Sequence, residues 1–299
     1  MLYYTYTNTN TNTNTNTNTN TNSLEEGQHM KHELINNKSI TQYDSINEFY
    51  KYLCDTPFNE TFRWERHSSV DGSYNFTQTH NFDEAVNLMK DGWSDMAKKL
   101  NAKLQIKEKQ NAFVNKRKMV NSVAGFQPIV PLYLAGVPTN MVSQKMVPVK
   151  QKVINITKSV SYNAGVSTET IIEESVKAMQ IVKKLEAMGY RVNLSIALGS
   201  KESDREVYAK VCIKHANEKL NVSKLAFPLV HPSMLRRLFF RYIEVCPDVT
   251  KSFVPGYGRP ATADQIKKVY GEEIILPAKF RGNVENIHSL EDLIRENKV

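Results

Sequence analysis

The chain has 299 residues, 39 Lys and Arg against 31 Asp and Glu, a formal charge of +8 and 40% apolar residues. That length accommodates one or two domains with a substantial core, and no apolar run approaches the roughly 18 residues of a membrane span. A secretory leader is not expected, because Thr-Asn repeats stand where its charged and apolar regions would be, and three widely spaced cysteines, Cys54, Cys212 and Cys246, point to a reducing compartment rather than a disulfide framework.

Residues 7–22 are eight Thr-Asn pairs with no side chain to bury, so residues 1–37 are expected to be a disordered tail. A small α+β module is predicted over residues 38–110. Ser45 and Glu48 form a capping box ahead of Phe49, Tyr52 and Leu53. Two short strands are expected near residues 62–67 and 74–79, joined by a turn at residues 70–73. Asn81 and Glu84 open a second helix that stops at Gly92. A third begins at Ser94, with Met96, Leu100 and Leu104 inward and Lys98, Lys99, Lys103 and Lys107 outward. Trp64 and Trp93 read as core anchors.

Pro128, Pro131, Pro138 and Pro148 make residues 111–150 an expected connector without long regular structure. An α/β domain follows over residues 151–299. Val153, Ile154 and Ile156 suggest a strand, and Ser167 caps a helix ending at Gly189. Further strands are expected at residues 190–198, 207–213, 225–230 and 273–276. A helix starts with Pro232 in its first turn, and another with Ser289 and Asp292. Strands alternating with helices imply a largely parallel sheet with both faces covered, Rossmann-like or von Willebrand factor A-like.

Four places invite a functional reading. Between Lys98 and Lys118 lie eight basic residues and one acid, Glu108. Lys98, Lys99, Lys103, Lys107, Lys116, Arg117 and Lys118 are therefore either a solvated face or a stripe for phosphate backbones. Asn155, Thr157 and Ser159 occupy the strand end where a von Willebrand factor A domain holds a metal with Asp-x-Ser-x-Ser. The leading carboxylate is missing, so no metal is expected. In His231-Pro-Ser-Met-Leu-Arg-Arg237, His231 and Ser233 suit base and nucleophile roles and Arg236 and Arg237 an anion clamp, or all four serve capping and packing. In Pro255-Gly-Tyr-Gly-Arg-Pro260, Tyr257 and Arg259 suit stacking on a base or peptide, or make a plain turn. Cys212 and His215 lack a second ligand pair for zinc. With no phosphate-binding loop, nucleophile elbow or His-Glu-x-x-His, no cofactor is expected.

Several strings occur together: Asn75-Phe-Thr-Gln-Thr79, Phe82-Asp-Glu-Ala85, Gly92-Trp93, Tyr133-Leu-Ala-Gly136, Asn140-Met141 and Val166-Ser167 with Ile171. Leu225-Ala-Phe227, the string from Leu229 to Arg237, and Gly256-Tyr-Gly-Arg-Pro260 complete them. Over residues 41–295 the chain resembles an uncharacterised domain family of bacteriophages, prophages and plasmids, with the Thr-Asn tail outside its pattern. The resemblance implies a viral or mobile-element origin, with the host cytoplasm or the virion as location, and no known activity. The leading expectation is a non-enzymatic binding protein that contacts nucleic acid or another viral protein and no membrane. The alternatives are a virion or assembly component, or a hydrolase or nuclease built on His231, Ser233, Arg236 and Arg237.

Overall fold

The computed structural model describes residues 20–21, 30–62, 66, 68, 74–104, 115–148, 152–203, 205–254, 256–271 and 274–278. Strand β1 (Asn20–Thr21) pairs with β2 (Lys31–Ile35), and β2 pairs antiparallel with β3 (Lys38–Tyr43). Asn36 and Asn37 join them with φ of 47° and 65°, the left-handed pair of a tight hairpin turn. The expected tail boundary at residue 37 is therefore corrected, because the ladder to β3 satisfies the β2 backbone and half-buries His32 and Leu34. Residues 1–19 and 22–29 lie outside the described residues.

Helix α1 (Ile46–Asp55) starts where Ser45 Oγ accepts the Glu48 amide, and Glu48 reaches back to the amide of Asp44. The single helical turn α2 (Tyr74–Thr77) stands where the second short strand was expected, while a 3-10 turn (Glu60–Phe62) reaches only the first residue of the other, most of which lies outside the described residues. In α2 the Phe76 and Thr77 carbonyls meet side chains instead of a neighbouring strand, and Gln78 at φ 62° breaks the extended path. Residues 63–65, including Trp64, and the turn at residues 70–73 lie outside the described residues. Asn81 caps α3 (Phe82–Asp91), and α4 (Ser94–Lys103) buries Met96, Ala97 and Leu100.

The expected connector is instead an antiparallel arm. Strand β4 (Asn115–Ser122) pairs along its whole length with β6 (Met141–Pro148). Between them lie the two-residue β5 (Gln127–Pro128), also paired with β6, and the short helix α5 (Val130–Leu134). The prolines fall at element ends and in loops, so both long strands run free of them up to Pro148.

Strand β7 (Val153–Ser159) leads into α6 (Thr168–Ala187), capped by Ser167. The helix ends in paired bonds, Gly189 N–H to Glu186 and Tyr190 N–H to Leu185, with Gly189 at φ 93°. Then come β8 (Arg191–Glu202) and β9 (Arg205–Lys214). The apolar run at residues 225–230 is helix α7 (Val222–Val230), not a strand. Asn221 caps it, and burial on all sides removes the polar face that marks a surface helix. After Pro232 come a π-helical turn (Met234–Phe239) and α8 (Phe240–Val245). Strand β10 (Arg259–Pro260), α9 (Ala263–Tyr270) and β11 (Ile274–Leu276) follow. The helix expected from Ser289 lies outside the described residues.

The main sheet has the order β1-β2-β3-β9-β8-β7-β11, with β10 on the far end of β8. Pairing is parallel at β3–β9, β8–β7 and β7–β11 and antiparallel at β9–β8, so the fold is mixed α/β with a helix-flanked sheet. Because β3 docks on β9, the expected boundary between an N-terminal module and a C-terminal domain does not divide the core. Phe49, Phe82 and Leu100 share one apolar cluster with Ile156, Val182, Phe227 and Phe239. On the opposite face α9 packs Ile266 against Ala197, Tyr208 and Ala261.

Glu206 fastens this junction. Its carboxylate meets Lys38 Nζ at 2.9 Å, Lys201 Nζ at 3.0 Å and the Tyr208 hydroxyl at 2.9 Å, bridging β3, β8 and β9. Burial disfavours the ionised form, but these three donors outweigh it and hold the pKa at about 2, against an ordinary 4.5. The folded value is depressed, so this stabilisation is complete above pH 4.5 and disappears as pH falls through about 2. Acid titration followed by circular dichroism should show that loss. Glu206→Gln should be less stable than wild type at neutral pH and lack this component of the acid transition.

Candidate functional site

In the helix that begins at Pro232, Ser233, Arg236, Arg237, Arg241 and Glu244 recur at steps of three, one, four and three. They form one polar stripe on an otherwise apolar helix. The stripe faces the segment of residues 68–80. Ser233 Oγ donates to the Thr77 carbonyl and lies 2.7 Å from Thr79 Oγ1, while its amide donates to His231 Nδ1 at 3.1 Å. Arg236 donates to the carbonyls of Phe76, Ala164 and Val166 and lies 3.9 Å above the Phe76 ring. Arg237, fully buried, donates to the carbonyls of Ser68 at 3.1 Å, Thr79 at 3.1 Å and His80 at 2.9 Å. Buried Glu244 accepts from the Ser68 amide and hydroxyl and the Tyr257 hydroxyl, with Arg241 Nε at 3.5 Å as its counter-charge.

This arrangement is a carbonyl clamp, which fits the capping and packing alternative for the string better than chemistry or anion binding. Ser233 is 0% exposed, and its hydroxyl is engaged by Thr77 and Thr79. His231 is sandwiched with Phe227 at 5.0 Å and Trp93 at 4.6 Å, and desolvation lowers its pKa to about 4. The cavity beside His231 and Arg236 measures about 10 Å3, no more than the space of a single water. The terminal nitrogens of both arginines are directed mainly at backbone carbonyls. Desolvation also lowers Arg236 to about 10.

Tyr257 likewise fits the plain-turn alternative. It is 4% exposed, stacked on Phe240 at 4.1 Å, and its hydroxyl binds Glu244. Residues 256–258 have φ of 101°, 64° and 78°, a left-handed run that the flanking glycines accommodate and that turns the ring inward. Arg259 alone of this loop's candidates is exposed, on β10.

The carboxyl end of β7, between β8 and β11, is where an open α/β sheet ordinarily receives a ligand. Here it is plugged. Lys158, fully buried, binds Glu174 Oε2 at 2.9 Å and the Pro277 carbonyl, and the Tyr162 hydroxyl donates to the same carboxylate oxygen. Desolvation lowers the Lys158 pKa against the pull of Glu174. Asn155 sits near the strand's start, exposed, and accepts from Asn193 at 2.8 Å, while Thr157 and Ser159 are buried. The three therefore do not converge at the strand end. Among the described residues no cluster of three or more His, Cys, Asp or Glu is placed to hold a metal. Cys212 Sγ and His215 Nδ1 are 3.7 Å apart, and burial pushes the thiol's pKa up.

The basic candidates are where solvent reaches. Lys98, Lys99 and Lys103 are exposed on α4, opposite Met96 and Leu100. Only Lys98 has an intrahelical acid, Asp95 at 3.6 Å, with both side chains about four-fifths exposed. Arg117 and Lys118 are exposed on β4. They do not extend a helix from α4, since β4 is a strand. Lys107 and the Lys116 side chain lie outside the described residues. Sequence reasoning missed Lys145, which the β4–β6 register sets directly opposite Lys118. An available signal was the complete absence of Asp and Glu between residues 109 and 168.

The profile of a domain of unknown function, DUF7192, matches residues 12–296, nearly the whole chain. The chain belongs to the DUF7192 family. The DUF7192 match begins within the Thr-Asn repeat, so part of the repeat falls inside the family's span, contrary to expectation. No curated protein and no solved structure matches the chain. No helix among the described residues is long and apolar enough to cross a membrane.

His231 gives a direct test of the clamp. The folded protein keeps the imidazole neutral down to about pH 4, whereas the unfolded chain protonates near 6.5. Its contribution to stability is therefore full above pH 6.5 and lost as pH falls to about 4. His231→Gln retains a hydrogen-bond acceptor but cannot titrate. Urea unfolding across that range should show a shallower decline for the variant. Arg237→Lys should lower stability by roughly 2–4 kcal/mol, because an ammonium cannot serve carbonyls fanned around a planar guanidinium.

Proposed function

We propose that this DUF7192 chain is a non-enzymatic, nucleic-acid-binding protein of a bacteriophage or related mobile element, acting in the host cytoplasm or virion. The observation that carries the reading is the exposed lysine row of α4, Lys98, Lys99 and Lys103, on a helix whose other face is core. The acid-free stretch that follows adds Arg117, Lys118 and Lys145 without a compensating carboxylate on the same strands. Such cations attract phosphates through a long-range field and release counterions on contact. The buried clamp and the plugged strand end argue against a hydrolase in this region. The crossover β7–α6–β8, with β9 antiparallel outside β8 and β11 parallel beyond β7, supports a von Willebrand factor A-like scaffold whose usual ligand position is filled by side chains.

Fluorescence anisotropy with oligonucleotides across a salt series tests this. Binding should be strong at low salt and largely indifferent to sequence. Lys98→Gln, Lys99→Gln and Lys103→Gln together should flatten the plot of log affinity against log salt by roughly 3 units, about one per lost phosphate contact. The unfolding transition should stay unchanged, since all three side chains are exposed. Absence of binding at low salt, or a triple variant that binds like wild type, would refute the proposal.

A further inference from the structure

The β4–β6 arm differs from the rest of the molecule in packing, charge and surface. Its elements pack on one another and share no substantial contact with the body among the described residues. The eight paired residues of each long strand make a ribbon about 27 Å long at about 3.4 Å per residue. Lys118 and Lys145 are directly opposite on one face, where cross-strand Cβ atoms lie roughly 5 Å apart and like charges repel. Arg117, one residue away, is opposite Met146 on the other face. Cations thus occupy both faces, and residues 109–168 contain no acid to neutralise them.

The end of the arm is apolar and built. Phe126 is 59% exposed, Tyr133 66% and Leu134 78%. These side chains are not on a slack loop: Phe126 N–H donates to the Val142 carbonyl, Ile129 N–H to Asn140 and Val137 N–H to Leu132. Gly125 lies so close to β6 that a Cβ there would overlap the Val142 carbonyl oxygen at 2.0 Å. A rigid tip therefore holds large apolar groups in water.

We propose that this arm is a DNA-docking ribbon. It enters a groove of duplex DNA with Arg117, Lys118 and Lys145 on the flanking phosphates, and its apolar tip wedges against base steps and bends the duplex. The proposal rests on the nucleic-acid reading above and adds partner, element and deformation. The placement of charge selects the partner. A flat anionic surface meets one face of a ribbon, whereas a groove presents a phosphate row on each side. A major groove about 12 Å wide admits a two-stranded ribbon, and the corresponding groove of an RNA duplex is too narrow. A β-ribbon can also occupy the minor groove, from which apolar wedges between base steps bend DNA by about 20–90°.

The test uses the full chain, a duplex of about 25 base pairs labelled at both ends, and the corresponding single strand. Energy transfer reads bending, and anisotropy reads affinity and salt dependence. Wild type should prefer the duplex and raise end-to-end transfer. Lys118→Gln with Lys145→Gln should flatten the salt slope by roughly 2 units. Phe126→Ser with Leu134→Ser should abolish the transfer change and leave the slope as in wild type. Duplex binding that is unbent, no tighter than single-strand binding, or unchanged in the lysine pair would overturn the proposal. So would an apolar-tip variant whose only change is loss of self-association in light scattering, or of binding to vesicles of anionic phospholipid. Binding that disappears in the α4 triple variant yet ignores the arm variants would leave the nucleic-acid reading intact and remove this one. No binding to either nucleic acid would remove both.

Discussion

The guanidinium of Arg237 is the contact on which the arrangement of the other elements depends. A buried cation costs several kcal/mol unless its donors are met. Here the two terminal nitrogens are met by backbone carbonyls of Ser68, Thr79 and His80, groups that would themselves be costly to bury unpaired. Two unfavourable burials cancel by satisfying each other. The carbonyls come from a turn at Ser68 and from Thr79 and His80 just after α2, so the arginines play the part that a neighbouring strand plays elsewhere. Ser233, four residues before Arg237, and Arg236, its immediate neighbour and three residues from Ser233, extend the same contact to Phe76, Thr77 and the loop at Ala164 and Val166. The helix beginning at Pro232 thereby ties the irregular N-terminal segment to the loop after β7 and to the core beneath.

What was legible in the sequence was local. Ser45, Asn81 and Ser167 cap helices, and Gly189 ends one, because a short side chain or a left-handed residue acts within one turn of where it stands. Strands β7, β8 and β9 were visible in their β-branched runs. The failures were cases where distant partners decide. Residues 225–230 are apolar whether strand or helix, and only packing against α4 and α6 selects the helix. The Asn36-Asn37 turn was a hairpin signal whose first strand, Lys31–Ile35, is too polar to stand out. The Pro-containing stretch looked irregular by count, although its prolines fall at element ends and in loops. For the site, the string at residues 231–237 was rightly singled out as unusual. Its residue types fit nucleophile and anion roles as well as carbonyl clamping, and burial alone separates these.

At the carboxyl end of β7 the described residues leave little room for a ligand. Lys158, Glu174 and Tyr162 occupy the strand end where an open α/β sheet would receive one, and His231 fills the adjacent space against two aromatic rings. A lysine, a carboxylate and a tyrosine at such a place resemble catalytic equipment when read as residue types. Their hydrogen bonds are directed at one another and at Pro277, which holds the cation and its counter-charge in mutual satisfaction. Polar groups that elsewhere recognise a substrate here close the core, and exposed cations lie outward on α4 and the arm.

That placement of charge also bears on pairing between copies of an exposed ribbon. Among the described residues, the outer edge of β4 carries eight residues of backbone with no partner strand, and β5 covers only two residues of β6. Long open edges invite self-association, and charged side chains, lysine above all, are a common protection. Two such edges brought together would set the Lys-Arg-Lys of one arm beside that of another, with no acid on either ribbon. The cations thus oppose pairing between copies in the free protein. The same repulsion is relieved by a polyanion, because phosphate rows replace the missing carboxylates. One feature of the sequence, a stretch of basic residues from which acids are absent, would then both keep the arms apart and make nucleic acid the surface on which they come to rest.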